Sequence, residues 1–262
     1  MNFETIRFER RDDGIALLTL DRPQRLNRFN ARMQTELHEV LRQLQATPAR
    51  VLLLIAAGEA FCAGQDYAEA EHEAGGALTD LGRLIDDGYN PLVRALHALE
   101  LPVVAAVNGL AAGAGASLAL ACDIVIAGQS AEFVFDGSAL GLIPEAGATW
   151  VLPRLIGMAR ATALVMLAEP VSAVQAADWG MIWCCVADAE LSTAALEVAI
   201  RLTRQAPKTL ALGKRALHAG AAHSLDQQLD LERDFQRIAG HSEDFRQRLA
   251  VLLGHAACNG SN

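Results

Sequence analysis

Two glycine-bearing turns, each following a run of apolar residues, are the first features of this chain suited to chemistry. Gly109-Leu-Ala-Ala-Gly113-Ala-Gly115-Ala follows VVAAV and leads into a helix expected to begin near Ser117, so backbone N–H groups gather at a helix N-terminus. Phe61-Cys-Ala-Gly-Gln-Asp66 follows VLLLIAA in the same way. Two such turns can aim two N–H donors at one point, which is what an enolate or a tetrahedral oxyanion needs. Loss of one such donor typically slows a reaction ~10²–10³-fold. The turn at 109–115 has two other readings. One is simple close packing of small residues; the other is a dinucleotide-binding turn, although Leu118 stands where G-x-G-x-x-G requires its third glycine.

The other reactive side chains read as structural. Asp66 at a turn and Asp123 at a strand start suit hydrogen bonds to local backbone. Cys62 reads as a small buried filler. Trp150, Trp179 and Trp183 read as core or interface aromatics. The seven histidines are scattered, without a serine or cysteine partner that the sequence can justify. Cys184 and Cys185 read as two faces of one strand, with no His or Cys at zinc-ligand spacing around them.

The elements that must position these turns follow from periodicity. ETIRFER and IALLTL flank Asp12-Asp13-Gly14 and predict a hairpin. Asn30 is expected to cap a helix whose apolar residues Met33, Leu37, Val40, Leu41 and Leu44 recur at helical spacing, with Pro48 closing it. VLLLIAA, VVAAV and DIVIAG are short all-apolar runs, as in strands buried on both faces. Helices alternate with them, which predicts an α/β fold. From about residue 146 strand signals nearly vanish while helical periodicity runs to 253. The acidic, small-residue stretch 68–80 predicts a surface loop, and GHAACNGSN a loose tail.

Composition narrows the partners. The 262 residues are 52% hydrophobic and carry a net charge of −9, enough apolar content for a substantial core and the wrong sign for nucleic acid as main partner. The five cysteines and an N-terminus without an apolar segment suggest free thiols in the cytoplasm. Leu101 to Cys122 is uncharged and long enough to span a bilayer, but Pro102, Asn108-Gly109, Gly113 and Gly115 break it, so no membrane span is expected.

AFCAGQD, followed by PVVAAVNGLAAGAGASLALACDIVIA, resembles the crotonase (enoyl-CoA hydratase/isomerase) superfamily. The likeness covers almost the whole chain, through DRPQRLNRFN, GLIPEAGATWVLPRLIG and VSAVQAADWGMI in the same order. It implies a crotonase-like α/β spiral of ββα units spanning 1–195, with a C-terminal helical region, 196–262, that the family uses for trimer contacts. It implies an oxyanion hole from the N–H groups of Gln65 and Ala114. It also implies a coenzyme A site along Arg25, Leu26, Ala63, Asp66 and Tyr67. Arg22, Arg25, Arg28 and Arg32 crowd the same stretch and could serve the phosphates or form a solvated charged face.

The family's hydratases use two glutamates, and those positions hold Ser117 and Gly137 here. Glu145, just after Ile143-Pro144, falls where the family's isomerases carry their acid. One carboxylate suffices to move a proton from C2 to C4 of a 3-enoyl thioester while the oxyanion hole holds the dienolate. Within the family the nearest likeness is to its phenylacetate-pathway branch, which converts a ring-1,2-epoxide of an arylacetyl thioester to an oxepin. YNPLVRAL, DWGMIW and LDQQLDLERDFQRIAG support it. The chain departs from that branch in carrying Glu145 for the usual Asp, Gly147-Ala148 for the usual double glycine, and a tail without basic and aromatic residues. Trp150, five residues after Glu145, suits an acyl pocket that accepts a ring.

The resulting expectation is an acyl-CoA isomerase acting through Gln65, Ala114 and Glu145 as a homotrimer or dimer of trimers, with no metal or redox cofactor, coenzyme A being part of the substrate. Two rivals stand beside it. One is a hydratase or other family enzyme using Asp136, whose side chain, if 136 lies in a strand, faces away from position 137. The other is a non-catalytic acyl-CoA binder.

Overall fold

The computed structural model describes residues 3–73 and 80–254. Strands β1 (Ile6–Arg10) and β2 (Ile15–Leu20) form the expected hairpin, with Gly14 at φ +85° in its turn. The chain continues through α1 (Ala31–Ala46), β3 (Val51–Ala56), α2 (Tyr67–Glu73), α3 (Leu81–Leu84), a wide turn over 85–89, α4 (Asn90–Ala98) and β4 (Val103–Val107). A short β5 (Ala111–Ala112), α5 (Ala114–Leu120), β6 (Ile124–Gly128), β7 (Glu132–Val134), α6 (Ala148–Leu167) and β8 (Val171–Ser172) follow. The last elements are α7 (Ala173–Asp178), β9 (Cys184–Val186), α8 (Leu191–Thr203), α9 (Pro207–Gly220), α10 (Leu225–Gly240) and α11 (Glu243–Leu252).

The main sheet has the order β1-β2-β3-β4-β6-β9 and is parallel from β2 onward; a second sheet has the order β5-β7-β8. Period-two alternation divides the apolar strands between two cores. Leu52, Leu54, Val103, Ala105 and Val107 face one core with Met33, Leu37, Val40, Leu41 and Leu44 of α1. Val51, Leu53, Val104, Ala106 and Ile126 face the other, closed by Leu191, Ala195 and Ala199 of α8. Burial on both faces is why these strands read as unbroken apolar runs, each large side chain contributing roughly 1.5–3 kcal/mol. Asn30 caps α1 by accepting from Met33 N–H at 2.8 Å.

Four expectations change. Residues 68–73, predicted as loop, continue α2, because the Asp66 carboxylate caps its first turn; 74–79 and the tail beyond Gly254 lie outside the described residues. Helix α5 starts at Ala114, not near Ser117, because Gly113 (φ +49°) already turns the chain. Strands persist beyond 146 as β8 and β9, too short for a periodic signal, and β9 holds Cys184 and Cys185 as one strand. Asp136 opens a 3₁₀ turn, Asp136–Leu140, so strand alternation does not apply to it.

Leu101–Cys122 folds as β4, the 109–113 turn and α5. One helix among the described residues, α6, is long and apolar enough to cross a membrane by length and composition. Its backbone leaves helical geometry at Gly157 (φ 76°, ψ 159°), which breaks it into two shorter helices.

Candidate active site

The two glycine turns meet. Cys62 N–H donates to Leu110 O at 3.1 Å and Ala112 N–H to Cys62 O at 2.9 Å, locking the turn after β3 onto the turn after β4. Gly115 permits this approach, since a Cβ there would lie 2.1 Å from Cys62 O. Phe29 N–H donates to Gly64 O and Asp66 N–H to Phe29 O, both at 2.8 Å. Gln65, extended between those two bonds, therefore turns its own N–H to the opposite side, toward α5. A Cβ built on Gly64 would lie 3.9 Å from Ala114 N. Ala114 is the first residue of α5, so its N–H has no partner within the helix. The two N–H groups named from sequence thus stand side by side.

Glu145 joins them. A Cβ on Gly113 would lie 3.6 Å from Glu145 Oε1 and 3.5 Å from Asp136 Oδ1, so both carboxylates converge on the residue next to Ala114. Burial raises the pKa of the Glu145 carboxyl and the charge of Asp136 raises it further, opposed by hydrogen bonds from its own N–H and that of Ala114. Such a group holds a proton more readily than a free carboxylate, as a proton carrier must. The expectation that Asp136 faces away is corrected: the 3₁₀ turn swings its side chain to the site.

The two absent glutamates are replaced by structure. Ser117 is buried, and its Oγ lies 3.1 Å from Gly113 O and 2.9 Å from Glu145 O, so its hydroxyl ties the Glu145 backbone to α5. At Gly137 a Cβ would lie 2.9 Å from the carbonyl carbon of Ile143. The backbone leading to Glu145 fills the space a side chain at 137 would need. Ala146 (φ +53°) and Gly147 (φ +86°) then turn the chain into α6.

Tyr89 was missed. It sits in the quoted YNPLVRAL segment, but tyrosine in a mixed apolar stretch carries no signal of its partner. It is buried, packs edge-on against Phe29 with ring centroids 5.3 Å apart, and its OH donates to Gln65 Oε1. Asn27 was missed too: at φ +53°, its amide donates to Ala57 O and Ala60 O at 2.8 Å and fixes the 22–29 loop against the end of β3.

Along that loop Arg25 is exposed at the end of a 3₁₀ turn, Pro23–Arg25, and Leu26 follows at φ +51°. Ala63 N–H donates to Leu26 O at 3.0 Å, so the loop and the turn at 61–66 form one edge. Tyr67 opens α2 near the charges of Glu145 and Asp136; burial, then those charges, raises its pKa. The side chain of Asp66 departs from its expected ligand-facing role: it is buried, 3.3 Å from Arg22, which also reaches Glu69 at 2.6 Å. Its alternative reading, a turn-stabilising carboxylate, is the one its contacts match. Arg22 is thereby withdrawn from any phosphate, and Arg32 pairs with Glu4 and Glu36. Arg25 and Arg28 remain exposed without an ion pair among the described residues.

Beside Glu145 a cavity of about 720 Å³ is lined by Asn90, Val93, Ser117, Ala146, Gly147 and Trp150, among others, within the usual range for small-molecule sites. Cys62 is no nucleophile there: burial pushes its thiol up to about 12. No group of three or more potential metal ligands occurs among the described residues.

Two backbone N–H groups beside a half-buried carboxyl and an apolar cavity suit an enzyme that polarises a carbonyl and moves a proton. Residues 10–253 match the Enoyl-CoA hydratase/isomerase family, and the chain belongs to it. The chain is 49% identical over 243 residues to the 1,2-epoxyphenylacetyl-CoA isomerase of Escherichia coli K12, covering 92% of this chain and 93% of that one. It is 33% identical to a short-chain-enoyl-CoA hydratase of Clostridium acetobutylicum over 93% of this chain and 92% of that protein. The crotonase-type α/β fold is shared with the solved enoyl-CoA hydratase of Bacillus anthracis, with a TM-score of 0.88, 31% identity and coverage of 96% and 95% of the two chains.

Proposed function

We propose that the protein is an acyl-CoA isomerase whose substrate is a ring-1,2-epoxide of phenylacetyl-CoA, a 3-enoyl-CoA, or both. The observation that carries this reading is the Glu145 carboxyl, raised in pKa and set beside the N–H groups of Gln65 and Ala114, with both hydratase glutamates replaced. The identity to the E. coli isomerase supports the epoxide.

In the enoyl reaction the thioester oxygen accepts from both N–H groups. The Glu145 carboxylate takes a proton from C2, the electron pair moves onto that oxygen to give the dienolate, and the same carboxyl returns the proton at C4. No atom is gained or lost, and no metal or redox cofactor is required. With a ring epoxide, the C1–C2 bond shared by the carbocycle and the epoxide opens while both C–O bonds are kept, giving the seven-membered oxepin, and Glu145 takes a proton from the carbon beside the thioester and returns it to the ring as the double bonds shift. Arg25, Leu26, Ala63 and Tyr67 form the edge suited to the coenzyme A arm, and Trp150 lines the acyl cavity.

A second carboxylate at Asp136 keeps a hydratase alternative in view, and a non-catalytic acyl-CoA binder would show binding without turnover. The assay compares wild type with Glu145→Gln on a 3-enoyl-CoA and on the ring epoxide, with crotonyl-CoA hydration alongside. Loss of isomerisation by ~10²-fold or more with little hydration in either protein supports the reading. Brisk hydration, or a variant as active as wild type, overturns it.

Assembly and compartment belong to the same proposal. Leu225, Leu229, Phe245 and Leu249 on α10 and α11 are exposed, which suits burial between copies in a homotrimer or dimer of trimers. Free cysteines 62, 122, 184 and 185 suit the cytoplasm.

A further inference from the structure

We propose that Trp150 and His97 form a one-side-chain-thick partition that ends the acyl cavity and so limits the length of acyl group the enzyme accepts. This rests on the reading of the cavity beside Glu145 as the acyl site.

A second cavity of about 930 Å³ lies behind the first, between α6, α9 and the ends of β4 and α5. His97, Leu120, Ala121, Trp150 and Val151 line both. These five residues are therefore the wall between the two spaces. Leu120 is buried, and Ala121 and Val151 are small, which leaves the two rings as the largest part of the wall that a side-chain change can remove. The rings meet edge to face at 6.1 Å, and each is braced from the far side. Arg154 lies 4.2 Å over the Trp150 ring and donates to Trp150 O at 2.8 Å. His218 lies 4.6 Å from His97. Arg154 and His218 line the second cavity and not the first.

The far space is suited to hydrocarbon. Leu155, Leu202, Leu210 and Leu217 line it. Its two cations are engaged: Lys214 is tied to Leu96 O and Asp123, and Arg154 to the ring and carbonyl of Trp150. Burial, then the charges of His218 and Lys214, holds the pKa of His97 below its ordinary value, so the ring presents an uncharged edge to an acyl group at neutral pH. With the partition intact, a compact acyl group fits and a long linear one meets the indole. With it removed, the tail of a long acyl group gains apolar contact in the second space, where an added methylene changes discrimination by ~10-fold or more.

The experiment measures kcat/KM for 3-enoyl-CoA thioesters from six to fourteen carbons. Trp150→Ala is expected to raise the ratio of twelve-carbon to six-carbon kcat/KM at least tenfold, chiefly through KM. His97→Ala should move it the same way, and guards against one variant failing to fold. Adding Leu217→Trp to Trp150→Ala refills the second cavity and should reverse the gain, whereas Leu217→Trp alone should leave six-carbon turnover unchanged. A wild type that isomerises the six-carbon substrate, with variants that keep its chain-length profile, overturns the partition alone; this includes the case in which a second copy of the chain fills the far cavity. A wild type that isomerises neither the six-carbon substrate nor the ring epoxide overturns the acyl-site reading on which the partition rests.

Discussion

Asp136 and Glu145 point their carboxylates at one spot, 3.5 Å and 3.6 Å from where a Cβ on Gly113 would sit. Two like charges so placed disfavour ionisation, and the charge of Asp136 is a named cause, after burial, of the raised Glu145 pKa. A base must be ionised to take a proton, so kcat/KM should fall as pH drops through the raised Glu145 pKa. Asp136→Asn removes the nearby charge and should shift that acid limb to lower pH. Glu145→Gln should abolish the limb along with ~10²-fold or more of the rate. A pH profile from 4 to 9 on all three proteins checks this, and an unshifted limb in Asp136→Asn counts against the coupling.

The same shift makes a stability prediction of definite sign. A carboxyl whose folded pKa is raised contributes stability that is complete below its unfolded pKa and is lost as pH rises through the folded value. Above that window ionised Glu145 is a cost carried by the fold, as functional sites often are. Glu145→Gln should therefore raise Tm at pH 8 and do so less at pH 4. For a chain of this length, ~2–4 °C corresponds to 1 kcal/mol. Thermal melts at both pH values decide it; a Tm gain at pH 4 as large as that at pH 8 would contradict the assignment.

Tyr89 tethers the turn at 61–66 through the side chain of Gln65. Its OH donates to Gln65 Oε1, and Gln65 is the residue whose backbone N–H we propose as one of the two oxyanion donors. Tyr89→Phe keeps the packing against Phe29 and removes this tether together with the hydroxyl's hydrogen bond to Gln34. The expected result is a fall in kcat of about tenfold with KM little changed, below the ~10²–10³ of losing a donor outright. A loss confined to Tm, with kcat intact, would make Tyr89 purely structural.

The elements that carry local periodicity were legible in the sequence: the β1–β2 hairpin, the Asn30 cap and the apolar face of α1 all stand where the spacing puts them. What escaped depends on contacts distant in sequence. Asp136 looked strand-like until its 3₁₀ turn, packed on the backbone at Ile143, turned it inward. Asp66 and Arg22 lie 44 residues apart, and no local pattern pairs them. The meeting of the glycine turns depends on Gly115 tolerating Cys62 O, a requirement visible only once both strands are in register. Family resemblance supplied Glu145, which no spacing rule singles out among the acidic residues.

Lys214 closes the C-terminal helices onto the sheet. Its Nζ lies on α9, 2.9 Å from Asp123 Oδ2, 3.0 Å from Leu96 O and 3.3 Å from Leu101 O, and the side chain is 8% exposed. Asp123 in turn accepts from Val103 N–H at 2.7 Å, where β4 begins. Lys214→Met would leave a largely buried carboxylate and two carbonyls without their cation, a loss of ~3–5 kcal/mol for a fully buried pair. The 18% exposure of Asp123 places the expectation toward the lower end. The double variant Lys214→Met, Asp123→Asn removes the orphan charge and should recover part of the loss while keeping the Val103 bond through the amide oxygen. Urea unfolding of the three proteins tests this. If the double variant is no more stable than Lys214→Met, the loss comes from the carbonyls and the packing of α9 rather than from an unpaired charge.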